Sequence, residues 1–193
     1  MIEIELRAFI KNFNEMEEKL SKIKARLVSE KKILDLWFCK KKYNKFEQVQ
    51  QHKAGSYALR IRKTDESGKS TSELNCKVLK EKGDHNAFHE FETKIEDHEQ
   101  TKQILDSIGF KIFCTIDKKR KTYRLNNCLI NLEDIKGFKP AMELEIVDDK
   151  DIDNHKQSLN DLLDKLGIRK KDRIKKSITY LYMKEFSFKE QKT

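Results

Sequence analysis

The feature that most limits what this chain can fold into is a charged face that recurs on strand after strand. In residues 2–10, Ile2, Ile4, Leu6 and Ala8 share one side, while Glu3, Glu5 and Arg7 share the other. In 57–63, Arg60 and Arg62 oppose Leu59 and Ile61. In 73–79, Glu73, Asn75 and Lys77 oppose Leu74, Cys76 and Val78, and in 88–95 Glu90 and Glu92 oppose His89, Phe91 and Thr93. Residues 110–117 and 120–125 are strand-like around Lys118 and Arg120. Residues 128–135 and 141–147 flank Gly137 and Pro140 as a hairpin, with Glu143 and Glu145 opposite Met142, Leu144 and Ile146. One charged face is the ordinary solvated side of a half-buried sheet. A whole series of them suggests closure, because a closed sheet has no exposed edges and gathers these charges into one lumen.

The apolar faces have candidate covers. Phe13, Met16, Leu20, Ile23 and Leu27 recur at helical spacing, with Asn14 as a cap and Glu17 three residues on. Residues 97–108 carry the stripe Ile104, Leu105 and Ile108 between the cap Asp97 and the stop Gly109. A third helix covers about 150–166, with Ile152, Leu159, Leu162, Leu163 and Leu166, and stops at Gly167. Residues 33–38 read as a further strand, the polar stretch through Gly55 as a mobile loop, and Gly68 as the centre of a hairpin. The segment from Ile174 to Phe186 is ambiguous. The expected fold is α+β: an antiparallel eight-stranded β-barrel with about three flanking amphipathic helices, in one domain over 1–193, with 184–193 flexible. One proline and six glycines in 193 residues leave little for a linker.

Charged residues make up 39% of the chain against 37% hydrophobic, but eleven Phe and the long periodic segments exclude a disordered chain. The net charge of +9, from 42 basic and 33 acidic residues, favours anionic partners. The four cysteines (Cys39, Cys76, Cys114, Cys128) contain no C-x-x-C pair and read as reduced thiols of a cytoplasmic protein. Clustered zinc ligands are missing, as is any apolar run of membrane-spanning length, and Met1-Ile-Glu-Ile-Glu-Leu-Arg7 has no signal-peptide core. His85 falls in a loop and His98 at a helix start, whereas His89, Phe88 and Phe91 are expected to pack inside. The basic runs at 40–42, 118–121 and 169–171 read as solvated faces.

These segments resemble the CYTH family of triphosphate tunnel metalloenzymes, which includes class IV adenylyl cyclases, thiamine triphosphatases and inorganic tripolyphosphatases. Glu3-Ile-Glu-Leu-Arg7 resembles its opening E-x-E-x-K, and Asp35-Leu-Trp-Phe38 its D-x-Y-F. Leu59-Arg-Ile-Arg62 resembles L-R-I-R, Lys77 stands at the Lys of T-x-K-G, and Glu90-Phe-Glu92 resembles the E-x-E before the central helix. Lys118-Lys-Arg120-Lys-Thr-Tyr123 matches K-x-R-x-x-Y. Glu133 or Asp134, Gly137 and Glu143-Leu-Glu145 resemble the D…G…E-x-E hairpin, so the match spans roughly 1–183. The resemblance implies a triphosphate bound by Arg7, Arg60, Arg62, Lys77, Lys118 and Arg120, with Lys77 and Arg120 as the catalytic pair. It implies Mg²⁺ or Mn²⁺ held by Glu3, Glu5, Glu143, Glu145 and Glu133, with Glu90 and Glu92 as further acids.

Four departures bear on activity. Trp37 stands for the family's Tyr and Arg7 for its Lys, so a hydroxyl and a readily titrated amine are both lost. Lys139 replaces the second Gly of a G-x-G loop, and only Met1 and Ile2 precede Glu3, where bacterial cyclases carry His-Phe. The acid of the seventh strand is Glu133 or Asp134; alternation with Asn131 favours Glu133 inward. The expected activity is a phosphorus–oxygen lyase converting ATP to cyclic AMP and pyrophosphate, most like the class IV cyclases. The first alternative is hydrolysis of tripolyphosphate, thiamine triphosphate or a nucleoside triphosphate; the second is a non-catalytic polyphosphate- or RNA-binding module. Nucleic acid and membrane are not expected partners, and a homodimer stays open.

Overall fold

The structure is a computed structural model that describes residues 2–50, 54–80, 88–148 and 152–189. In chain order its elements are β1 (Ile2–Phe9), α1 (Phe13–Lys22), β2 (Arg26–Lys40), β3 (Tyr57–Glu66), β4 (Lys69–Leu79) and β5 (Phe88–Ile95). There follow α2 (His98–Ser107), β6 (Phe110–Leu125), β7 (Cys128–Ile135), β8 (Ala141–Asp148), α3 (Ile152–Lys165), β9 (Arg173–Ile174) and α4 (Ile178–Phe186). Among the described residues the fold is α+β with an antiparallel sheet of nine strands. The described part of the stretch expected as a loop holds a short 3₁₀ turn, Phe46–Gln48. The ninth strand and the fourth helix both arise around the segment 174–186, whose pattern is ambiguous.

The chain divides into two compact units, Met1–Lys32 with Lys118–Leu181, and Ile33–Asp117 with Tyr182–Thr193. In the first, β6-β7-β8-β1-β9 are neighbours in that order. Ile4, Ala8, Ile130, Leu132, Met142, Leu144 and Ile146 form one apolar face, covered by Met16 and Leu20 of α1 and by Leu159 and Leu163 of α3. Each fully buried Leu among these contributes on the order of 1.5–3 kcal/mol. In the second unit the order is β5-β4-β3-β2. There Leu105 of α2 packs on Phe38 and Ile61, with Leu36, Leu59, Leu74 and Ile95 around them. The β3–β4 hairpin turns on Ser67 and Gly68, both at positive φ (50° and 79°), the conformation a two-residue loop between right-twisted strands requires.

Several local expectations change. Asn12, not Asn14, caps α1: its Oδ1 accepts from the Glu15 amide at 3.0 Å. The helix ends at Lys22 and Lys24 turns left-handed (φ 61°), so Leu27 lies on β2 and is exposed. β2 and β6 are each one long strand, 15 and 16 residues. Phe91 and His89 are exposed rather than packed, because among the described residues β5 pairs with β4 alone and no helix covers that stretch of it. His98 begins α2 as expected. His85 lies outside the described residues, as do the side chains of Glu3, Phe88 and Ile152, the start expected for α3 at 150–151 and residues 190–193 of the tail. No described helix is long and apolar enough to cross a membrane.

Candidate functional site

In each unit, the sheet face opposite the apolar one carries a connected set of charges. In the first unit the antiparallel register sets Thr122, Asn131, Glu143 and Arg7 in one row across β6, β7, β8 and β1. The next row on one side brings Arg120 opposite Glu133, and on the other Glu145 opposite Glu5. Lys118 Nζ donates to Glu133 Oε1 at 2.7 Å, and Arg120 Nε donates to the same oxygen at 2.8 Å. Arg120 also stands 3.7 Å from Glu143, which accepts from Arg7 Nε at 3.0 Å, and Arg7 is ion-paired with Glu5. Asp134, the other candidate on β7, is exposed on the opposite side.

Burial makes part of this set demanding. Glu133 is 2% exposed and Lys118 5%. Burial alone would raise the Glu133 carboxyl, but the Lys118 ammonium and the Arg120 guanidinium outweigh it and hold it down at about 2. The carboxyl is therefore an anion at neutral pH, pinned between two cations. Tyr123 and Lys121 of the same strand face the other way: both donate to Glu17 of α1, at 2.5 and 2.7 Å, and tie the helix to the sheet. The basic run at 118–121 is thus not a solvated face, unlike 40–42 and 169–171, whose basic side chains are exposed.

In the second unit the corresponding face is built around Asp35 of β2, which is 1% exposed. Arg62 grips it with two parallel bonds, Nε to Oδ1 at 2.6 Å and Nη2 to Oδ2 at 2.7 Å. Arg60 stands 3.9 Å from Asp35 and donates from Nε to Asn75 Oδ1 at 3.0 Å; Asn75 in turn donates to Glu92. The Arg60 guanidinium lies 5.2 Å from the centroid of the Trp37 ring. Lys77 pairs with Glu90 at 2.7 Å at a more exposed position.

The structure therefore places Arg7, Lys118, Arg120, Glu5, Glu133, Glu143 and Glu145 on one face of the first unit, and Arg60, Arg62, Lys77, Glu90 and Glu92 on one face of the second. Glu3 shares the backbone register of β1, opposite Val147. Asp35, Asn75, Trp37, Asn131 and Thr122 belong to these faces although they were not among the expected site residues. The phase of Asp35 and Trp37 within Ile33–Phe38 was the available signal for two of them.

The donor chemistry admits a hard divalent cation. Glu5 and Glu145 stand directly opposite on neighbouring strands, a like-charge pair that is unfavourable without a cation between or beside it, and Glu143 lies two residues along. Arg7 now supplies the neutralisation for Glu5 and Glu143. Among the described residues no three Asp, Glu, His or Cys side chains already converge as a preformed cage. Thiol chemistry has no support here, since burial raises Cys39 and Cys128 to about 11 and Cys114 to about 12, which keeps them protonated.

Known proteins share this chain's pattern. The family model described as CYTH domain matches residues 1–191. A Methanocaldococcus jannaschii protein that carries a provisional adenylate cyclase name is 30% identical over 179 residues, covering 92% of this chain and 96% of its own. A solved Pyrococcus horikoshii structure superposes with a TM-score of 0.71 at 22% identity, over 93% of this chain and 97% of that one. A Hippeastrum protein, provisionally named an adenylyl cyclase and described as having a dominant triphosphatase activity, matches with a TM-score of 0.61 at 17% identity, over 94% and 95% of the two chains.

Proposed function

Starting from the CYTH family, to which this chain belongs, we propose that it is a divalent-metal-dependent enzyme acting on a triphosphate, with the cyclisation of ATP as its first candidate reaction. The observation that carries this reading is the Lys118–Glu133–Arg120 group. Two cations are fixed on one buried carboxylate on a face that also holds Arg7, and phosphate is the ligand that rewards fixed Arg and Lys donors. The phosphate ligands in this reading are Arg7, Arg60, Arg62, Lys77, Lys118 and Arg120. Glu5, Glu143 and Glu145, with Glu3, would hold Mg²⁺ or Mn²⁺, whose positive charge supplies neutralisation of the phosphate oxygens. Glu133 is better suited to orienting Lys118 and Arg120 than to ligating metal, because both cations already converge on one of its oxygens.

The chain's own residues contribute positioning and charge. Asp35 fixes Arg62, Asn75 fixes Arg60, and Glu90 meets Lys77, so each cation enters the reaction already oriented. Lys77 and Arg120 are the proposed catalytic residues, taking up negative charge on the phosphate oxygens as the phosphorus–oxygen bond breaks. In cyclisation the ribose hydroxyl attacks the α-phosphorus, the α–β bridging bond breaks and pyrophosphate leaves as the hydroxyl proton passes to solvent; in hydrolysis water attacks the terminal phosphorus, the bond to the bridging oxygen breaks, and orthophosphate, the shortened phosphate chain and a proton are released. Hydrolysis is kept as the second reading, because Trp37 lacks the hydroxyl of the family's Tyr and Arg7 replaces its Lys. The test is incubation with ATP, tripolyphosphate or thiamine triphosphate and Mg²⁺ or Mn²⁺, followed by product separation. Cyclic AMP supports cyclisation and orthophosphate supports hydrolysis. No product, with retained binding of RNA or long polyphosphate, would overturn the enzymatic reading.

A further inference from the structure

Resting on the triphosphate reading, we infer that Trp37 is a substrate-positioning residue whose indole N–H donates to a phosphate oxygen. Three observations meet at this side chain. Trp37 is 8% exposed, and its Nε1 is a buried donor with no hydrogen-bond partner among the described residues. It shares the β2 face of Asp35 and lies under the guanidinium of Arg60, 5.2 Å from the ring centroid. The surrounding polar side chains are already matched: Arg62 with Asp35, and Arg60 with Asn75, which is bonded onward to Glu92.

A buried donor left unmatched costs about 1–3 kcal/mol, so such groups are uncommon away from sites with a purpose. The indole nitrogen can only donate, so its partner must be an acceptor, and it cannot shuttle a proton. The acceptor must approach beside Arg60, which selects an anionic oxygen. A phosphate held by the Arg60 guanidinium beside the ring brings an anionic oxygen to the indole N–H and takes a bond from each. Tyr57 and Ser187 also carry buried hydroxyls without partners among the described residues, but the Tyr57 ring packs edge-on against Phe110 and Ser187 follows α4, so neither lies on β2 with Asp35.

Trp37 is the single tryptophan of the chain, so one indole N–H signal reports this atom without any substitution. The experiment titrates ¹⁵N-labelled protein with inorganic tripolyphosphate and follows that signal, while calorimetry measures the affinity of wild type, Trp37→Phe and Trp37→Tyr. The expected result is a downfield shift of the indole signal that saturates with the calorimetric Kd. Trp37→Phe should bind roughly tenfold more weakly, as for a lost hydrogen bond to a charged group, and Trp37→Tyr should recover part of the loss. An unmoved indole signal at saturating tripolyphosphate would overturn the inference and leave the triphosphate reading standing. So would weakening by Trp37→Phe that is confined to ATP and absent with tripolyphosphate. Absence of any triphosphate binding to wild type, seen by calorimetry alone, would remove both.

Discussion

Replacing Glu133 by Gln tests the first charged network most directly. The change keeps the shape but leaves the Lys118 ammonium, 5% exposed, and the Arg120 guanidinium without the carboxylate they share. Two routes give the size of the effect. Breaking a buried pair by neutralising one partner costs about 3–5 kcal/mol. Independently, a carboxyl moved from 4.5 to about 2 on folding contributes roughly 3 kcal/mol at neutral pH. For a chain of 193 residues that corresponds to a melting temperature about 6–12 °C lower. The direction with pH follows from the sign of the shift. The folded carboxyl is depressed, so its contribution is complete above 4.5 and fades as the pH falls towards 2. Urea unfolding of wild type and Glu133→Gln at pH 7, 5, 4 and 3 should show a gap of about 3 kcal/mol that narrows below pH 5. Adding Lys118→Met to Glu133→Gln should recover part of the loss, because the buried ammonium that lost the Glu133 carboxylate goes with it. A gap below about 1 kcal/mol at pH 7, or one that stays constant down to pH 3, would refute the pinned-carboxylate argument.

Arg62→Ala removes both parallel bonds to the buried Asp35 and should cost about 3 kcal/mol in thermal melts, whereas Arg60→Ala leaves the bidentate pair intact and should weaken triphosphate binding more than it lowers stability; equal melting of the two variants would count against this division of roles. The double substitution Glu3→Gln with Glu5→Gln should abolish metal-dependent turnover while circular dichroism shows a folded chain, and full turnover in excess EDTA would remove the metal assignment. Tripolyphosphate at 100 times its Kd should stabilise the chain by about 2.7 kcal/mol, read as a rise in melting temperature; no rise with any triphosphate over a wide concentration range would favour the nucleic-acid or polyphosphate module instead.

Much of the charged architecture could be read from alternation, because a period of two assigns sides without knowledge of partners. Glu143 and Glu145 share a side by spacing alone, as do Arg60 and Arg62. Coverage was less legible. Phe91 has the phase of a core residue, yet it is 61% exposed, since phase says which side a residue takes and not whether another element lies over it. Leu27 continues the helical stripe of α1 by spacing, but the left-handed Lys24 stops the helix before reaching it. A non-glycine at positive φ is poorly signalled by residue type, so a stop of this kind hides in an otherwise periodic run.

Pairing was least legible, and the reason is geometric. Lys118 is directly opposite Ile135 in the register, but its long side chain reaches back to Glu133, two residues along β7. Cross-strand position therefore names a neighbourhood, and side-chain length chooses the partner within it. Asp35 makes the same point from the other end. A lone acid in the run Ile33–Phe38 breaks an apolar pattern and, taken alone, reads as a blemish in a strand. A carboxylate that is 1% exposed cannot stand without compensation. Its burial requires a cation from a neighbouring strand, and the Leu59-Arg-Ile-Arg62 segment is where two occur at the matching spacing. The acid within an apolar strand and the paired arginines are thus one feature divided by 27 residues of chain. What fixes Arg62 is the acid that interrupts the apolar run of the neighbouring strand.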